Sequence, residues 1–297
     1  MTQTLGIIGL GSMGYGMAQS LLRAGHKVHG FDINPDQVAR FQAEGGASGD
    51  LADVAEGLDA LVVVVLNAQQ TEAVLFGEAG AAPLLKKDSV VISCATVPPA
   101  FARDMAKLCQ DHGLHYLDAP ISGGAIKAAD GQLSIMASGT PDAFAAAGPA
   151  LDAMSEKVFA LGDTAGAGSA MKAVNQLLAG VHIATMAEAM AFGMTQGVSP
   201  ETFMDVIPNC AGTSWMLENR APHIVEGDYT PRSAVNIWPK DLGIVLEIAQ
   251  TAGFDAPVTK AALAQYHKAV EMGLGGEDDA AVVKVYADQS GVQLNKG

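Results

Sequence analysis

Apolar residues in the first half of the chain form short runs rich in β-branched side chains, separated by longer stretches with helical spacing. The runs predict strands at Thr4 to Gly9, Lys27 to Asp32, Ala60 to Leu66, Ser89 to Ser93, His115 to Asp118, Leu133 to Ala137 and Lys157 to Leu161. The first two helices are predicted at Ser12 to Ala24 and Pro35 to Glu44. Strands that alternate with helices predict right-handed βαβ units and a mainly parallel, doubly wound sheet.

The pattern changes at a glycine-rich hinge, residues 162 to 168, after which the chain is rich in Ala, Met and Leu and shows no strand signal. Helices are predicted at Ser169 to Gln196, from Pro200 behind a Ser199 cap, and at about Leu242 to Ala252, Thr259 to Met272 and Asp279 to Ala287. The polar end from residue 288 to 297 is expected to fray or to contact another subunit. The fold class is therefore α/β plus all-α: a Rossmann domain, 1–163, followed by an all-helical domain, 164–297.

Composition and charge exclude several classes of protein. Of the 297 residues, 49% are hydrophobic and 16% charged, so a large core is available and general disorder is excluded. The net charge of −15, with no block of Lys and Arg, argues against nucleic-acid binding. The longest apolar run, Ala60 to Leu66, is far shorter than the ~20 residues of a membrane-spanning helix. We therefore expect a cytoplasmic protein that binds neither membrane nor nucleic acid. The three scattered cysteines indicate neither a disulfide framework nor a metal site.

A dinucleotide-binding fingerprint opens the chain. The segment Gly9-Leu10-Gly11-Ser12-Met13-Gly14 follows the first strand and begins the first helix. Gly9 permits a tight turn, Gly11 allows a pyrophosphate to approach the backbone, and Gly14 lets the helix lie close to the strand. Asp32 ends the second strand at the expected distance of ~20 residues, where a carboxylate would bind ribose hydroxyls and repel a 2′-phosphate. NAD is thus favoured over NADP, although Asp32 could also simply begin a turn.

Two further clusters are candidates for substrate chemistry. Ser122-Gly123-Gly124 follows a predicted strand and could present N–H groups and a hydroxyl to a small carboxylate, or it could be a plain loop. Lys172 and Asn175 share one face of the long helix. Apolar neighbours would partly desolvate the lysine, so that it could titrate near neutrality, unless its side chain extends into solvent.

Taken in order, these motifs resemble those of the β-hydroxyacid dehydrogenases, the group that contains 3-hydroxyisobutyrate dehydrogenase and tartronate semialdehyde reductase. The resemblance covers essentially the whole chain through four segments: Gly9 to Gly14 with Met17-Ala18, Asp118 to Gly124, Gly168 to Asn175, and Lys240 to Leu242. It implies Lys172 as the catalytic residue, Ser122, Gly123, Gly124 and Asn175 at the substrate, and Lys240 near both nicotinamide and substrate. It further implies cofactor contacts from Leu66, Asn67 and Thr96.

Four segments narrow the resemblance to the branch that contains L-threonate dehydrogenase: Gly123 to Ala129, Ala211 to Arg220, Gly227 to Ala234 and Lys240 to Gly243. The implied reaction is NAD-dependent oxidation of L-threonate at C2, without a metal. The apolar, helix-rich second domain separately predicts a homo-oligomer, a dimer or tetramer assembled through that domain. Other activities of the family, on 3-hydroxyisobutyrate or tartronate semialdehyde, are the alternative. The candidates for binding additional substrate hydroxyls are Ser214, Asn219, His223 and Asn236.

Proteins of other function share this architecture. A non-catalytic dinucleotide-binding scaffold or an imine reductase would be expected to lack Lys172, and the scaffold would carry a basic targeting segment. A 6-phosphogluconate-type dehydrogenase would need a larger helical domain and a basic phosphate pocket. The presence of Lys172 and the acidic composition favour the hydroxyacid dehydrogenase.

Overall fold

A computed structural model describes residues 2 to 294 of the chain. Its contacts divide into two compact units, Met1–Lys172 and Ala173–Gly297. This division falls inside a helix, whereas the sequence predicts a domain boundary at residue 163, in the glycine-rich hinge. The last three residues, 295 to 297, belong to the predicted helical domain but lie outside the described residues.

The first unit is built on a five-stranded sheet in the order β2-β1-β3-β4-β5. The strands are β1 (Thr4–Ile8), β2 (Lys27–Phe31), β3 (Ala60–Val63), β4 (Val90–Ser93) and β5 (His115–Asp118). Every neighbouring pair is parallel, so all five carboxyl ends lie at one edge of the sheet. Every residue of β3 and β4 is buried, which accounts for their continuous apolar runs. The predicted Rossmann sheet is confirmed.

The described residues of the first unit form seven helices, of which the first five connect these strands and the last two follow β5. They are α1 (Gly14–Arg23), α2 (Pro35–Ala43), α3 (Leu51–Val54), α4 (Ala68–Phe76), α5 (Pro99–Asp111), α6 (Gly124–Asp130) and α7 (Pro141–Met154). Local sequence sets several of their starts. The side chains of Asn34, Asn67 and Thr140 each accept a backbone N–H in the first turn of the following helix.

A second, smaller sheet in the first unit was not predicted. It contains β6 (Ile121–Ser122), β7 (Leu133–Ala137) and β8 (Ser155–Ala160), in the order β6-β7-β8. β6 runs antiparallel to β7, and β7 runs parallel to β8. The sequence predicts β7 and β8 as strands, but it assigns them to the main sheet. Because no residue of β8 is fully buried, it is suited to a sheet edge rather than to the covered interior.

The second unit is helical, as predicted. Helix α8 (Ala167–Thr195) begins in the first unit and continues into the second. It is followed by α9 (Pro200–Val206), α10 (Trp215–Glu226), α11 (Ile237–Thr251), α12 (Pro257–Glu271) and α13 (Val283–Ser290). Helix α10 has no counterpart in the sequence prediction, and α13 remains helical through Ser290, within the segment expected to fray or to contact another subunit. Ser199 caps α9 as predicted, its hydroxyl accepting the N–H of Thr202.

Helix α8 is long and apolar enough to cross a membrane by length and composition alone, with 29 residues and a mean hydropathy of 1.4 in its most apolar window. Core helices of soluble proteins meet the same criterion. Ile183, Ala187 and Met190 of α8 are buried in the hydrophobic core of the second unit, together with Trp238 and Tyr266. Packing within the protein therefore explains the apolar character of this helix.

Two adjacent carboxylates, Asp278 and Asp279, are fully buried in the core of the second unit. His223 Nδ1 lies 2.8 Å from Asp278 Oδ1, and the N–H groups of Arg232 and Ala280 donate to the Asp278 carboxylate over 3.0 and 3.1 Å. Burial opposes ionisation of Asp278, but these hydrogen bonds outweigh it and lower its pKa to about 2. The carboxylate therefore stabilises the fold while it is ionised.

We expect the second unit to lose stability as the pH falls from about 4 towards 2. A carboxyl with a lowered folded-state pKa stabilises above its ordinary pKa and stops doing so once it is protonated in the fold. The loss should be on the order of 2 kcal/mol. Both tryptophans, Trp215 and Trp238, lie in this unit, so tryptophan fluorescence during urea unfolding reports on it.

The Asp278→Asn variant is the matched comparison, because it removes the titrating carboxyl and keeps its shape. It should start less stable at pH 5 and change less as the pH falls. The neighbouring Asp279, whose pKa burial raises, is present in both proteins. Equal pH dependence in the two proteins would contradict the assignment of this stabilisation to Asp278.

Candidate functional site

The glycine-rich turn after β1 is tightly packed at two of its glycines and open at the third. Gly9 has a φ of +97°, and a Cβ there would overlap the carbonyl oxygen of Val64. A Cβ at Gly14 would overlap the carbonyl oxygen of Gly9, so α1 lies directly against the strand. A Cβ at Gly11 would meet nothing within 4 Å. The turn thus leaves open backbone at the position where the fingerprint expects a pyrophosphate.

Asp32 lies beside this turn, just beyond the end of β2. Its Oδ2 accepts the N–H of Leu10 at 2.6 Å, and its Oδ1 accepts the N–H of Asn34 at 2.8 Å. Each oxygen keeps capacity for a further hydrogen bond, as ribose hydroxyls would require. A cavity of about 460 Å³ adjoins the carboxylate, lined among others by Leu10, Gly11, Ser12, Tyr15, Asp32 and Arg40. These features fit the adenosine half of a nicotinamide dinucleotide.

The remaining predicted cofactor residues of the first unit occupy different surroundings. Met13 packs against the hydrophobic core of this unit. Asn67 caps α4, its side-chain oxygen accepting the N–H of Gln70 at 2.8 Å, and the adjacent Leu66 is 60% exposed. Thr96 follows β4 and is half-buried. Because β1, β3 and β4 are neighbouring parallel strands, Leu66, Asn67 and Thr96 follow the same edge of the sheet as the glycine-rich turn.

Helices α1 and α6 touch through their backbones at Gly16. A Cβ at this position would lie 2.6 Å from the backbone nitrogen of Ala129 and 3.0 Å from its Cα. The Arg23 guanidinium also donates to the carbonyl oxygen of Ala129. Helix α6 begins at Gly124, the last residue of the Ser122-Gly-Gly turn. The predicted cofactor turn and the predicted substrate turn are thus followed by two helices in direct contact.

Lys172 is held next to the Ser122-Gly-Gly turn. Only 8% of the lysine is exposed, so its side chain does not extend into solvent. Its Nζ donates to the carbonyl oxygen of Ile121 at 2.8 Å, one residue before Ser122. Gly123 and Gly124 have φ values of 139° and 79°, in the region that favours glycine, which accounts for this pair. The structure therefore brings Lys172 and the turn together within the first unit.

The other two predicted substrate residues, Asn175 and Lys240, lie in the second unit and are joined through two intermediaries. Asn175 Nδ2 donates to Gln176 Oε1 at 2.9 Å, and Gln176 Nε2 donates to Asp241 Oδ2 at 2.5 Å. Lys240 Nζ forms an ion pair with Asp241 Oδ1 at 2.6 Å. The sequence analysis assigned no role to Gln176 or Asp241. One feature could have identified Asp241 as a functional residue. It is a charged residue on the face of α11 that the structure buries, where it is only 2% exposed.

The polar residues proposed for additional substrate hydroxyls are largely engaged within the second unit. Ser214 caps α10 by accepting the N–H of Leu217 at 3.1 Å, and His223 is buried against Asp278. Asn219 accepts a hydrogen bond from Arg220, and Asn236 precedes α11. These contacts favour structural roles for Ser214 and His223. Within residues 2 to 294, no group of three or more His, Cys, Asp or Glu side chains is placed to hold a metal ion.

Two family models match the chain, and their matches meet within the glycine-rich hinge. Residues 4–162 match the NAD binding domain of 6-phosphogluconate dehydrogenase. Residues 166–286 match the NAD-binding domain of NADP-dependent 3-hydroxyisobutyrate dehydrogenase. Together they indicate a nicotinamide dinucleotide cofactor, in agreement with the open glycine-rich turn and with Asp32.

Individual relatives extend this match over nearly the full length. An L-threonate dehydrogenase from Cupriavidus necator is 50% identical over 287 residues, covering 96% of this chain and 97% of the relative. An L-threonate dehydrogenase from Escherichia coli K12 is 46% identical, covering 98% and 96%. The crystal structure of a 3-hydroxyisobutyrate dehydrogenase from Salmonella typhimurium is 47% identical, with a TM-score of 0.90 and coverage of 95% and 99%. The chain belongs to the β-hydroxyacid dehydrogenase family that includes 3-hydroxyisobutyrate dehydrogenase, and it is a hydroxyacid dehydrogenase that uses a nicotinamide dinucleotide.

Proposed function

We propose that this enzyme oxidises L-threonate at C2 with NAD⁺, giving 2-dehydro-L-erythronate and NADH. The observation that carries the proposal is the buried side chain of Lys172, whose Nζ lies 2.8 Å from the Ile121 carbonyl oxygen beside the Ser122-Gly-Gly turn. A basic group next to a carboxylate-binding turn suits the oxidation of a hydroxy acid. The choice of L-threonate rests on the names of the relatives that are 44 to 50% identical to the chain.

Lys172 is the catalytic residue in this proposal, acting as the general base. In its neutral form, Nζ removes the proton from the substrate hydroxyl while C2 becomes a carbonyl carbon. The bound nicotinamide ring supplies the hydride acceptor, so one proton and one hydride leave the substrate. The bond from Nζ to the Ile121 carbonyl fixes the direction of the lysine side chain. In the reverse reaction, Lys172 returns the proton.

The substrate carboxylate is assigned to the turn formed by Ser122, Gly123 and Gly124. Asn175 orients the reacting hydroxyl, and Lys240 adds positive charge near the carboxylate and the nicotinamide. Gln176 and Asp241 connect these two side chains, which supports treating them as one group. In the cofactor site we assign the phosphates to residues 9 to 14, the ribose to Asp32, and further contacts to Leu66, Asn67, Thr96 and Lys240.

NAD⁺ is proposed over NADP⁺ because the Asp32 carboxylate would face a 2′-phosphate. Arg40 lines the same cavity and is the residue that could favour a phosphate there. Its guanidinium lies 4.2 Å from the centre of the Tyr15 ring and forms an ion pair with Glu44 at 3.3 Å. These contacts support NAD⁺, since Glu44 offsets the charge of Arg40.

We also propose how the enzyme is divided into domains and how it assembles. We place the boundary between the Rossmann and helical domains at residue 163, with the first turns of α8 packed on the Rossmann side. We further propose a cytoplasmic homo-oligomer, a dimer or tetramer, with contacts through the helical domain.

Comparing hydroxy acids under one set of conditions tests the substrate. We expect kcat/KM for L-threonate to exceed that for 3-hydroxyisobutyrate by ~10²-fold, because a site built for extra hydroxyls leaves polar groups unpaired when they are missing. The rate of NADH formation, followed by absorbance, gives both values. Glycerate, which keeps a carboxylate and a C2 hydroxyl on a shorter chain, is the control for length. Equal rates on the two main acids, or faster oxidation of 3-hydroxyisobutyrate, would overturn the assignment to L-threonate.

A further inference from the structure

We propose that Asp118 is the positioning residue for Lys172, and that its carboxylate fixes the first turn of α8 so that the lysine lies beside the substrate turn. This inference rests on the proposed function, in which Lys172 transfers the proton. The resemblance to the family places Asp118 in a motif with Ser122, Gly123 and Gly124 but gives it no role of its own. Every contact in the argument lies within the first unit.

Four hydrogen bonds converge on the Asp118 carboxylate, which is 1% exposed. Oδ2 accepts the N–H groups of Gly166 and Ser169, each at 2.9 Å, and the Ser138 hydroxyl at 3.2 Å. Oδ1 accepts the Ser169 hydroxyl at 2.7 Å. A buried carboxylate with this many donors is well satisfied, and its negative charge lies at the positive end of the α8 dipole.

Ser138 extends this attachment to β7 and the residues that follow it. Its hydroxyl accepts the N–H of Gly168 at 2.9 Å, and its backbone exchanges two hydrogen bonds with that of Asp118. A Cβ at Gly168 would overlap the carbonyl oxygen of Met136, so the helix start is also in close backbone contact there. Three N–H groups around the start of α8 therefore donate to two side chains, those of Asp118 and Ser138.

The segment that begins at Asp118 also contacts Lys172 directly. Ser169 and Lys172 are three residues apart and share a face of α8. Lys172 Nζ donates to the carbonyl oxygen of Ile121, three residues after Asp118. Residues 118 to 122 thus fix the helix that carries the lysine, fix its ammonium group, and provide the first residue of the substrate turn. A change at Asp118 would move the lysine relative to that turn.

Asparagine keeps the shape of this side chain but not its charge. With its single oxygen at the Oδ2 position, the amide would still accept from Gly166, Ser169 and Ser138, and its NH₂ group would donate to the Ser169 hydroxyl. Hydrogen bonds to a neutral amide are weaker than those to a carboxylate, and the negative charge at the start of α8 is lost, so the first turn is held less firmly and can shift. A displacement on the order of 1 Å at a reacting group can cost ~10²-fold in rate.

The test is the Asp118→Asn variant, assayed with L-threonate and NAD⁺. We expect kcat to fall by ~10- to 100-fold, while KM for the hydroxy acid and the dissociation constant of NAD⁺ stay within about 3-fold. With L-threonate deuterated at C2, the isotope effect on kcat should become larger than in the wild type, because the chemical step becomes slower relative to product release. A general loss of structure would instead weaken NAD⁺ binding as well.

Two further variants make the result specific. Ser169→Ala removes one bond to Oδ1 and keeps the charge, so kcat should fall by a smaller factor, ~3- to 10-fold. Asp111→Asn makes the same chemical change at an exposed carboxylate of the first unit and should leave all the constants unchanged.

The inference is overturned if Asp118→Asn keeps kcat within 2-fold of the wild type, or if its NAD⁺ affinity falls in parallel with kcat. Should Asp118→Asn fail to fold, Ser169→Ala decides, and an unchanged kcat there overturns the inference. Loss of activity in Lys172→Ala with normal activity in Asp118→Asn rejects this inference alone. Normal activity in Lys172→Ala rejects the proposed function itself.

Discussion

Replacing Lys172 with alanine should lower kcat for hydroxy acid oxidation by roughly 10²- to 10⁴-fold, the range expected for loss of a general base. The affinity for NAD⁺ should stay within a few-fold of the wild type. Lys172 Nζ donates to the Ile121 carbonyl oxygen and is not among the predicted dinucleotide contacts, which are residues 9 to 14, Asp32, Leu66, Asn67, Thr96 and Lys240. Formation of NADH measures turnover, and calorimetric titration with NAD⁺ measures binding independently.

Two control variants separate loss of the base from loss of charge or fold. Lys172→Arg keeps a positive charge but stays protonated, so it should be nearly as inactive as the alanine variant. Lys107→Ala removes an exposed lysine of the same unit and should behave as the wild type. A Lys172→Ala enzyme with kcat within a few-fold of the wild type would remove the lysine from the mechanism.

Replacing Asp32 with serine, together with Ile33→Arg, should change the ratio of kcat/KM for NAD⁺ over NADP⁺ by ~10²- to 10³-fold, in favour of NADP⁺. Like charges in direct contact cost several kcal/mol, which corresponds to a factor of this size, and the added guanidinium can pair with the 2′-phosphate. Ile33 is fully exposed, with a relative exposure of 103%, so arginine there costs no core packing. The wild-type enzyme should prefer NAD⁺. Both ratios come from NADH or NADPH formation at saturating L-threonate.

The single substitutions show which change matters. Ile33→Arg alone should have a smaller effect, since Asp32 still repels the phosphate. Asp36→Ser removes an exposed carboxylate at the start of α2 that does not line the cavity, and should leave the ratio unchanged. A wild-type enzyme that prefers NADP⁺ would refute the role of Asp32 and would direct attention to Arg40, which lines the same cavity.

The main sheet could be predicted because burial on both faces leaves an unbroken apolar run, as in β3 and β4. The same signal placed the end of β3 too late. The strand stops at Val63, but apolar residues continue to Leu66, which is 60% exposed. The three-stranded sheet was missed for a different reason. Hydrophobic pattern identifies a strand, but the choice of pairing partner depends on tertiary packing.

The sequence proposes candidate site residues where the pattern is local, as in the glycine-rich turn and in the spacing of Lys172 and Asn175 on one helix. Their roles remain predictions. The surroundings of these residues could not be predicted, because they join distant segments. Asp118 bonds to Ser169, 51 residues along the chain, and Gln176 bonds to Asp241, 65 residues along. No local spacing encodes such pairs.

The backbone contact between α1 and α6 at Gly16 limits how this protein can be recombined. Exchange of the first βαβ unit for that of another Rossmann protein is an obvious route to a new cofactor preference. A donor segment with alanine or a larger residue at position 16 would push α6 away from α1. The nearest atoms there are backbone atoms, including the nitrogen and Cα of Ala129, which cannot move aside as a flexible side chain could. Overpacking of this kind typically costs ~1–3 kcal/mol. Functional chimeras should therefore require a donor with glycine at this position, whatever its affinity for the dinucleotide.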